Sequence, residues 1–314
     1  MDTLPKTLQS AIVYFSDPDR AFQYALSLRW PDGAVSCPRC GSDKHSFVKT
    51  RRLWHCKGCK KQFTLKVGTI FEDSPLGLDK WMMAFWMLCN CKNGVSSCEV
   101  ARALGITQKS AWFMLHRIRK TMVDDSPKIG SNGPVEIDET FVGGKVKNMH
   151  KSKRPKGVGM QGGHGKAVVL GMLERGGDVK ARVIDDRRKP HVDPVVTASV
   201  DAGSHIITDE FSVYPHLSTP YYHEVINHLE GYVRGHVHTN GIENFWSLLK
   251  RALRGTYVAV EPFHLDSYVD EQVFRFNNRK NMDDKGRFEY AMRNVAGKRL
   301  TYNELCGIGA ATSH

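Results

Sequence analysis

The chain has 314 residues, a formal net charge of +12 and a 41% share of hydrophobic residues. That length exceeds one typical domain, and the apolar share sets disorder aside as the default state. The charge, with a pI near 9.3, points to a polyanionic partner, most simply nucleic acid. The most apolar run, Trp81 to Cys91, is too short for a bilayer span and carries Asn90. The amino terminus lacks a secretory pattern. A cytoplasmic, nucleoid-associated protein with no membrane partner is expected. Thiols stay reduced in that compartment, so paired cysteines read as metal ligands.

Residues 1–30 read as a helical lead-in, with Phe22, Tyr24, Ala25 and Leu28 at roughly helical spacing. Residues 31–75 hold Cys37-Pro-Arg-Cys40 and, fifteen residues on, Cys56-Lys-Gly-Cys59. This is a zinc-ligand spacing. Each pair offers two thiolates from one tight turn, and the two turns complete a closed tetrathiolate around one structural Zn²⁺. His45 and His55 are near enough in sequence to substitute as ligands. Cys89, Cys91, Cys98 and Cys306 read as small core residues.

Residues 76–123 carry a helix-turn-helix layout. A first helix over Ser97–Leu104 stops at Gly105. Thr107 caps a second over Gln108–Lys120, which turns Ala111, Leu115 and Ile118 inward and its basic groups outward. A recognition helix reads bases near its start, which nominates Gln108, Lys109 and Ser110, with Trp112 beside them. A plain helical hairpin is the competing reading. Residues 124–134, DDSPKIGSNGP, read as a linker.

From 135 to 280 the period changes to that of one α/β domain. Strands are predicted over Val135–Val142, Ala167–Leu173, Val179–Ile184 and His205–Thr208, and helices over Pro190–Ser199 and Ile242–Leu253. Residues 145–166 form a basic, Gly-rich stretch without an acid, suited to a loop that ranges over phosphates. Residues 281–314 read as a carboxy-terminal tail, with a helical stretch near Phe288.

Three acids stand in apolar settings: Asp138 within VEIDETFV, Asp209 at the end of IITD, and Glu243 at the start of a helix. Burial of an unpartnered carboxylate is costly. A shared divalent cation removes that cost, and hard oxygen ligands suit Mg²⁺ or Mn²⁺. Two ions roughly 4 Å apart could drive an in-line displacement at phosphorus. Lys250, seven residues after Glu243, shares its helix face, and with Arg251 and Arg254 could hold a phosphate. Strand alternation turns Glu139 and Glu210, which follow the two aspartates, to the opposite face.

At IDETFVGGK (137–145), TDEFSVY (208–214) and HTNGIENFWSLLKR (238–251) the chain resembles insertion-sequence transposases that join a zinc ribbon to a DDE-type integrase domain. The resemblance implies a multidomain α+β protein: a four-cysteine zinc ribbon, a helix-turn-helix, then an RNase H-like catalytic domain with a mixed sheet. It implies that Asp138, Asp209 and Glu243 gather around two Mg²⁺ or Mn²⁺ ions, with Lys250 as the basic partner. Asn240 and Asn244 keep an alternative open for the third ligand. The implied reaction is nicking of double-stranded DNA at element ends, then transfer of the 3′-OH into a target, by a homo-oligomer on paired ends. Two other readings stand beside it: a non-catalytic DNA-binding regulator, and a metal-dependent nuclease without strand transfer. His236 and His238 as a further metal pair is a weaker idea.

Overall fold

The computed structural model describes residues 4–144, 165–209, 220–226 and 238–308. Most of the predicted basic loop, Glu210 and His236 lie outside the described residues. The chain divides into two compact units, residues 1–122 with 279–314, and residues 123–278.

The first unit opens with α1 (Leu8–Phe15) and α2 (Pro18–Arg29). Thr7 and Ser10 form a capping box, and Asp17 caps α2 just before Pro18. A small antiparallel sheet follows, β1 (His45–Val48), β2 (Leu53–Cys56) and β3 (Gln62–Thr64), in that order. Helix α3 (Leu78–Asn90) buries Trp81, Phe85 and Trp86. Helices α4 (Ser97–Leu104) and α5 (Gln108–Arg119) come next. Ser96 and Glu99 form a capping box, Gly105 takes the left-handed conformation that ends α4 (φ +61°), and Thr107 accepts from Ser110 N–H at 3.1 Å. Ala111, Leu115 and Ile118 are buried, as expected.

Three expectations change here. The basic groups of α5 do not all face outward: Arg117 and Arg119 are buried. Arg117 donates to the carbonyls of Ile70, Glu72 and Leu300, which satisfies its guanidinium inside the fold. One of those acceptors, Leu300, lies in residues 281–314, which are not simply a tail. Within them α9 (Asp284–Arg293) and α10 (Tyr302–Leu305) fold into the unit. Phe288 of α9 meets the rings of Phe15, Tyr24, Phe85 and Trp86 at 5.2 to 6.5 Å. Of the unpatterned cysteines only Cys89 is a core residue; Cys98 is exposed, and Cys91 and Cys306 are partly so.

The second unit is built on a five-stranded sheet. Its strands are β4 (Val135–Val142), β5 (Ala167–Glu174), β6 (Val179–Ile184), β7 (His205–Asp209) and β8 (Tyr222–Ile226), in the order β6-β5-β4-β7-β8. The β4–β5 and β5–β6 pairs are antiparallel, while β4–β7 and β7–β8 are parallel. Helix α6 (Lys189–Ser199) covers one face through Val192 and Val196 against Ile137, Leu170 and Met172. Helices α7 (Asn240–Ala252) and α8 (Leu265–Asn277) cover the other, with Ile242, Trp246, Val269 and Val273 against Val169 and Leu173. Strand alternation therefore assigns even positions of β4 to the α7 face.

Residues 124–134 are tied down along their length, unlike a free linker. Ile129 is buried and bridges to Val200, and Glu174 Oε1 accepts from Gly130 N–H and Asn132 N–H. Strand β8 and helix α8 lie outside the predicted elements. In α8 the buried side includes Asp270, Glu271, Gln272 and Arg275. The Glu271–Arg275 ion pair, joined by Tyr257 Oη, makes that polar burial tolerable.

Candidate active site and metal centre

The cysteine pairs stand on two similar turns. Cys37 N–H bonds to Ser42 O at 2.9 Å, and Cys56 N–H to Lys61 O at 3.0 Å. Gly41 and Lys60 take positive φ so that each turn can close. The four sulfurs lie within 4.8 Å of one another, with Cys37–Cys59 at 3.8 Å and Cys40–Cys56 at 3.6 Å. A tetrahedron with Zn–S bonds of about 2.3 Å has edges of about 3.8 Å, so the donor set fits zinc. Cys59 N–H, 3.4 Å from Cys56 Sγ, leads the effects that bring the Cys56 thiol down to about 6. His45 is turned away, with Nε2 2.8 Å from Val35 O.

In the second unit, β4 and β7 pair in parallel with Val135 opposite Ile206 and Glu136 opposite Ile207. By the same offset Asp209 is the β7 position level with Asp138, and its charge acts on the Asp138 carboxyl. Burial first, then the charges of Glu139 and Asp209, push the Asp138 carboxyl up to about 7, against a lowering hydrogen bond from Trp246. That bond runs from Trp246 Nε1 to Asp138 Oδ2 at 2.9 Å. It has room because the residue opposite Asp138 on β5 is Gly171. A Cβ there would lie 2.5 Å from the indole ring. Glu139 points the other way, as alternation predicts, and pairs with Arg187 at 2.9 Å.

Glu243 sits in the first turn of α7, and its Oε1 accepts from Thr239 Oγ1 at 3.2 Å. The three carboxylates do not form a metal-binding group here; among the described residues the four cysteines are the only such group. Lys250 is half-buried, and its ammonium is lowered by burial and by Arg254, against the opposing pull of Asp138. Arg251 and Arg254 are exposed. Of the nominated base-reading residues, Gln108 and Lys109 are exposed and Ser110 partly so. Gln108 Nε2 reaches Ser97 Oγ at 2.8 Å, and Lys109 Nζ lies 4.5 Å from the Tyr302 ring centre. Asn240 and Asn244 are exposed.

Sequence reasoning missed Glu136, which is fully buried two residues before Asp138. The period-2 signal was available, since positions 136 and 138 share a face. It also missed Trp246 and Gly171, whose pairing depends on which helix covers which strand.

Residues 131–277 match the ISXO2-like transposase domain, and residues 16–62 match the transposase zinc-ribbon domain. The chain is also similar to a protein described as an uncharacterized protein in transposable element ISH50, from Halobacterium salinarum. The two are 25% identical over 252 residues, covering 76% of this chain and 84% of that protein.

Proposed function

Because the chain belongs with the insertion-sequence transposases that join a zinc ribbon to a DDE-type domain, we propose that it cuts and joins DNA at its element's ends. The observation that carries this reading is the half-buried Asp138, its carboxyl pushed up by burial and by the charges of Glu139 and Asp209, inside the matched transposase domain. Two neighbouring acids whose charges oppose each other suit a hard cation, and Asp138, Asp209 and Glu243 are the residues that would hold Mg²⁺ or Mn²⁺. When bound, such ions would sharpen a nucleophilic oxygen and stabilise the leaving oxygen at phosphorus. Lys250 stands to hold a phosphate in line, with exposed Arg251 and Arg254 extending the basic track along the backbone. In nicking, water oxygen bonds to phosphorus and the bond to the 3′ oxygen breaks, leaving a 3′-OH and a 5′-phosphate. In joining, that 3′ oxygen attacks a target phosphodiester and gives up its proton, and the target's own 3′ oxygen leaves with one.

The strand order, with antiparallel β6-β5-β4 continued by parallel β7 and β8, supports the RNase H-like reading. The capped α4–Gly105–α5 unit and the ribbon support recognition of the terminal repeats. In this reading Gln108, Lys109 and Ser110 contact bases and the ribbon contacts backbone. Paired ends call for a homo-oligomer, and genomic DNA as substrate calls for a nucleoid location.

A labelled duplex carrying the element end tests this, incubated with Mg²⁺ or with EDTA. Wild type nicks and joins only with metal. Asp138→Asn, Asp209→Asn and Glu243→Gln each lower the rate by about a thousandfold, as expected for several kcal/mol of lost charge stabilisation. Nicking without joining would favour the nuclease reading. Binding without nicking by wild type would favour the regulator.

A further inference from the structure

Helix α7 starts without a cap of its own. Thr239, at the N-cap position, accepts no bond from the free N–H groups of the first turn. Its hydroxyl is directed to Glu243 instead. The missing acceptor comes from the sheet: Glu136 Oε2 accepts from Ile242 N–H at 2.9 Å. The other oxygen, Oε1, accepts from Arg175 Nε at 2.8 Å. Arg175 Nη2 in turn donates to the carbonyl of His238, the residue before Thr239. His238 Nδ1 is 3.4 Å from Glu136 Oε1. One carboxylate and one guanidinium thus grip the chain on both sides of the helix start. The Glu136 side chain is only 1% exposed, so this grip works in a setting where charge–dipole attraction is little screened.

The approach is close because position 241 is glycine. A Cβ there would sit 2.8 Å from both Glu136 Oε2 and Leu173 Cδ2. Four residues beyond Ile242, the Trp246–Asp138 bond ties the same helix to the same strand.

We infer that Glu136 is a positioning residue for the proposed site: it fixes the backbone of Ile242 and so the starting point of Glu243 relative to Asp138, two residues along β4. The inference rests on the reading of Glu243 as the third acid. Glu136 itself faces the helix amides, not the reacting atoms. Its action on the chemistry runs through where Glu243 is held.

The test uses the full, zinc-loaded chain as wild type, Glu136→Ala and Glu136→Gln. Two quantities are followed: hydrogen–deuterium exchange across residues 238–246, and the Mg²⁺ concentration giving half-maximal nicking of the end duplex. Glu136→Ala is expected to speed exchange there and to raise the Mg²⁺ requirement about 10- to 100-fold, the usual effect of losing a group that orients a metal ligand. Duplex binding without Mg²⁺ stays as in wild type. Glu136→Gln, which keeps an acceptor for Ile242 N–H, recovers most of both. Unchanged exchange in Glu136→Ala overturns the inference, and so does faster exchange with an unchanged Mg²⁺ curve. If Glu136→Ala does not fold, Gly241→Ala presses on the same contact and is read by the same criteria. A wild type that never nicks sinks the transposase reading instead, while the exchange measurement still decides whether Glu136 holds the helix.

Discussion

The two clusters of chemistry are built in opposite ways. The ribbon draws its four sulfurs from two turns, each complete within a few residues and held by its own backbone bonds. The proposed acidic site would draw Asp138, Asp209 and Glu243 from two strands and a helix, where Gly171, Glu136 and Trp246 set helix against sheet. A site made of local turns is set once a metal binds. A site made of distant elements is only as well placed as the packing between them.

The contrast can be broken most forcefully at the metal. Stripping zinc with a chelator removes about 10–16 kcal/mol of coupled folding free energy from a structural site. Residues 37–64 should lose their exchange protection, while β4, β5 and β7 keep theirs. Collapse of both units together would show that the ribbon is less self-contained than its turns imply.

A second measurement sharpens the comparison within the first unit. Phe288 is far in sequence from the rings it touches, so Phe288→Ala should lower the stability of that unit by about 3–5 kcal/mol. Urea unfolding reports the loss, and the zinc stoichiometry should stay at one per chain. A smaller effect concerns the sheet unit. Burial raises Asp270 to about 6, helped by Asp266 and Asp124 and opposed by Arg182. A carboxyl whose folded pKa lies above its unfolded value of about 3.9 destabilises the fold as it ionises. Stability is therefore expected to fall as the pH rises from about 4 to 6 and to level off above, by about 2–3 kcal/mol at most. Asp270→Asn should flatten that slope, and an unaltered slope would refute the assignment.

How much of this was legible in the sequence follows the same division. The cysteine spacing, the cap at Thr107 and the strands Val135–Val142 and Val179–Ile184 could be read because each obeys a short-range rule. Helix α8 could not, because Glu271 and Arg275 satisfy each other inside the core and so erase the apolar stripe that marks a helix. Strand β8 was hidden for a different reason: it closes the sheet with Tyr222 and Val225 exposed. Asp138 and Asp209 stood out as acids among apolar neighbours. Glu136 stood in the same strand with the same signal, but its purpose depends on the helix that starts above it.

Phe288 and Arg117 carry a consequence for the order of events during synthesis. The first unit needs residues beyond 279, since Phe288 completes its aromatic core and Leu300 accepts from Arg117. The sheet unit is continuous and ends at residue 278. As the chain leaves the ribosome, the segment made second can finish first, and the ribbon-bearing unit must wait for the last part of the chain. A product cut short after residue 278 would then hold a whole sheet unit joined to an unfinished amino-terminal one.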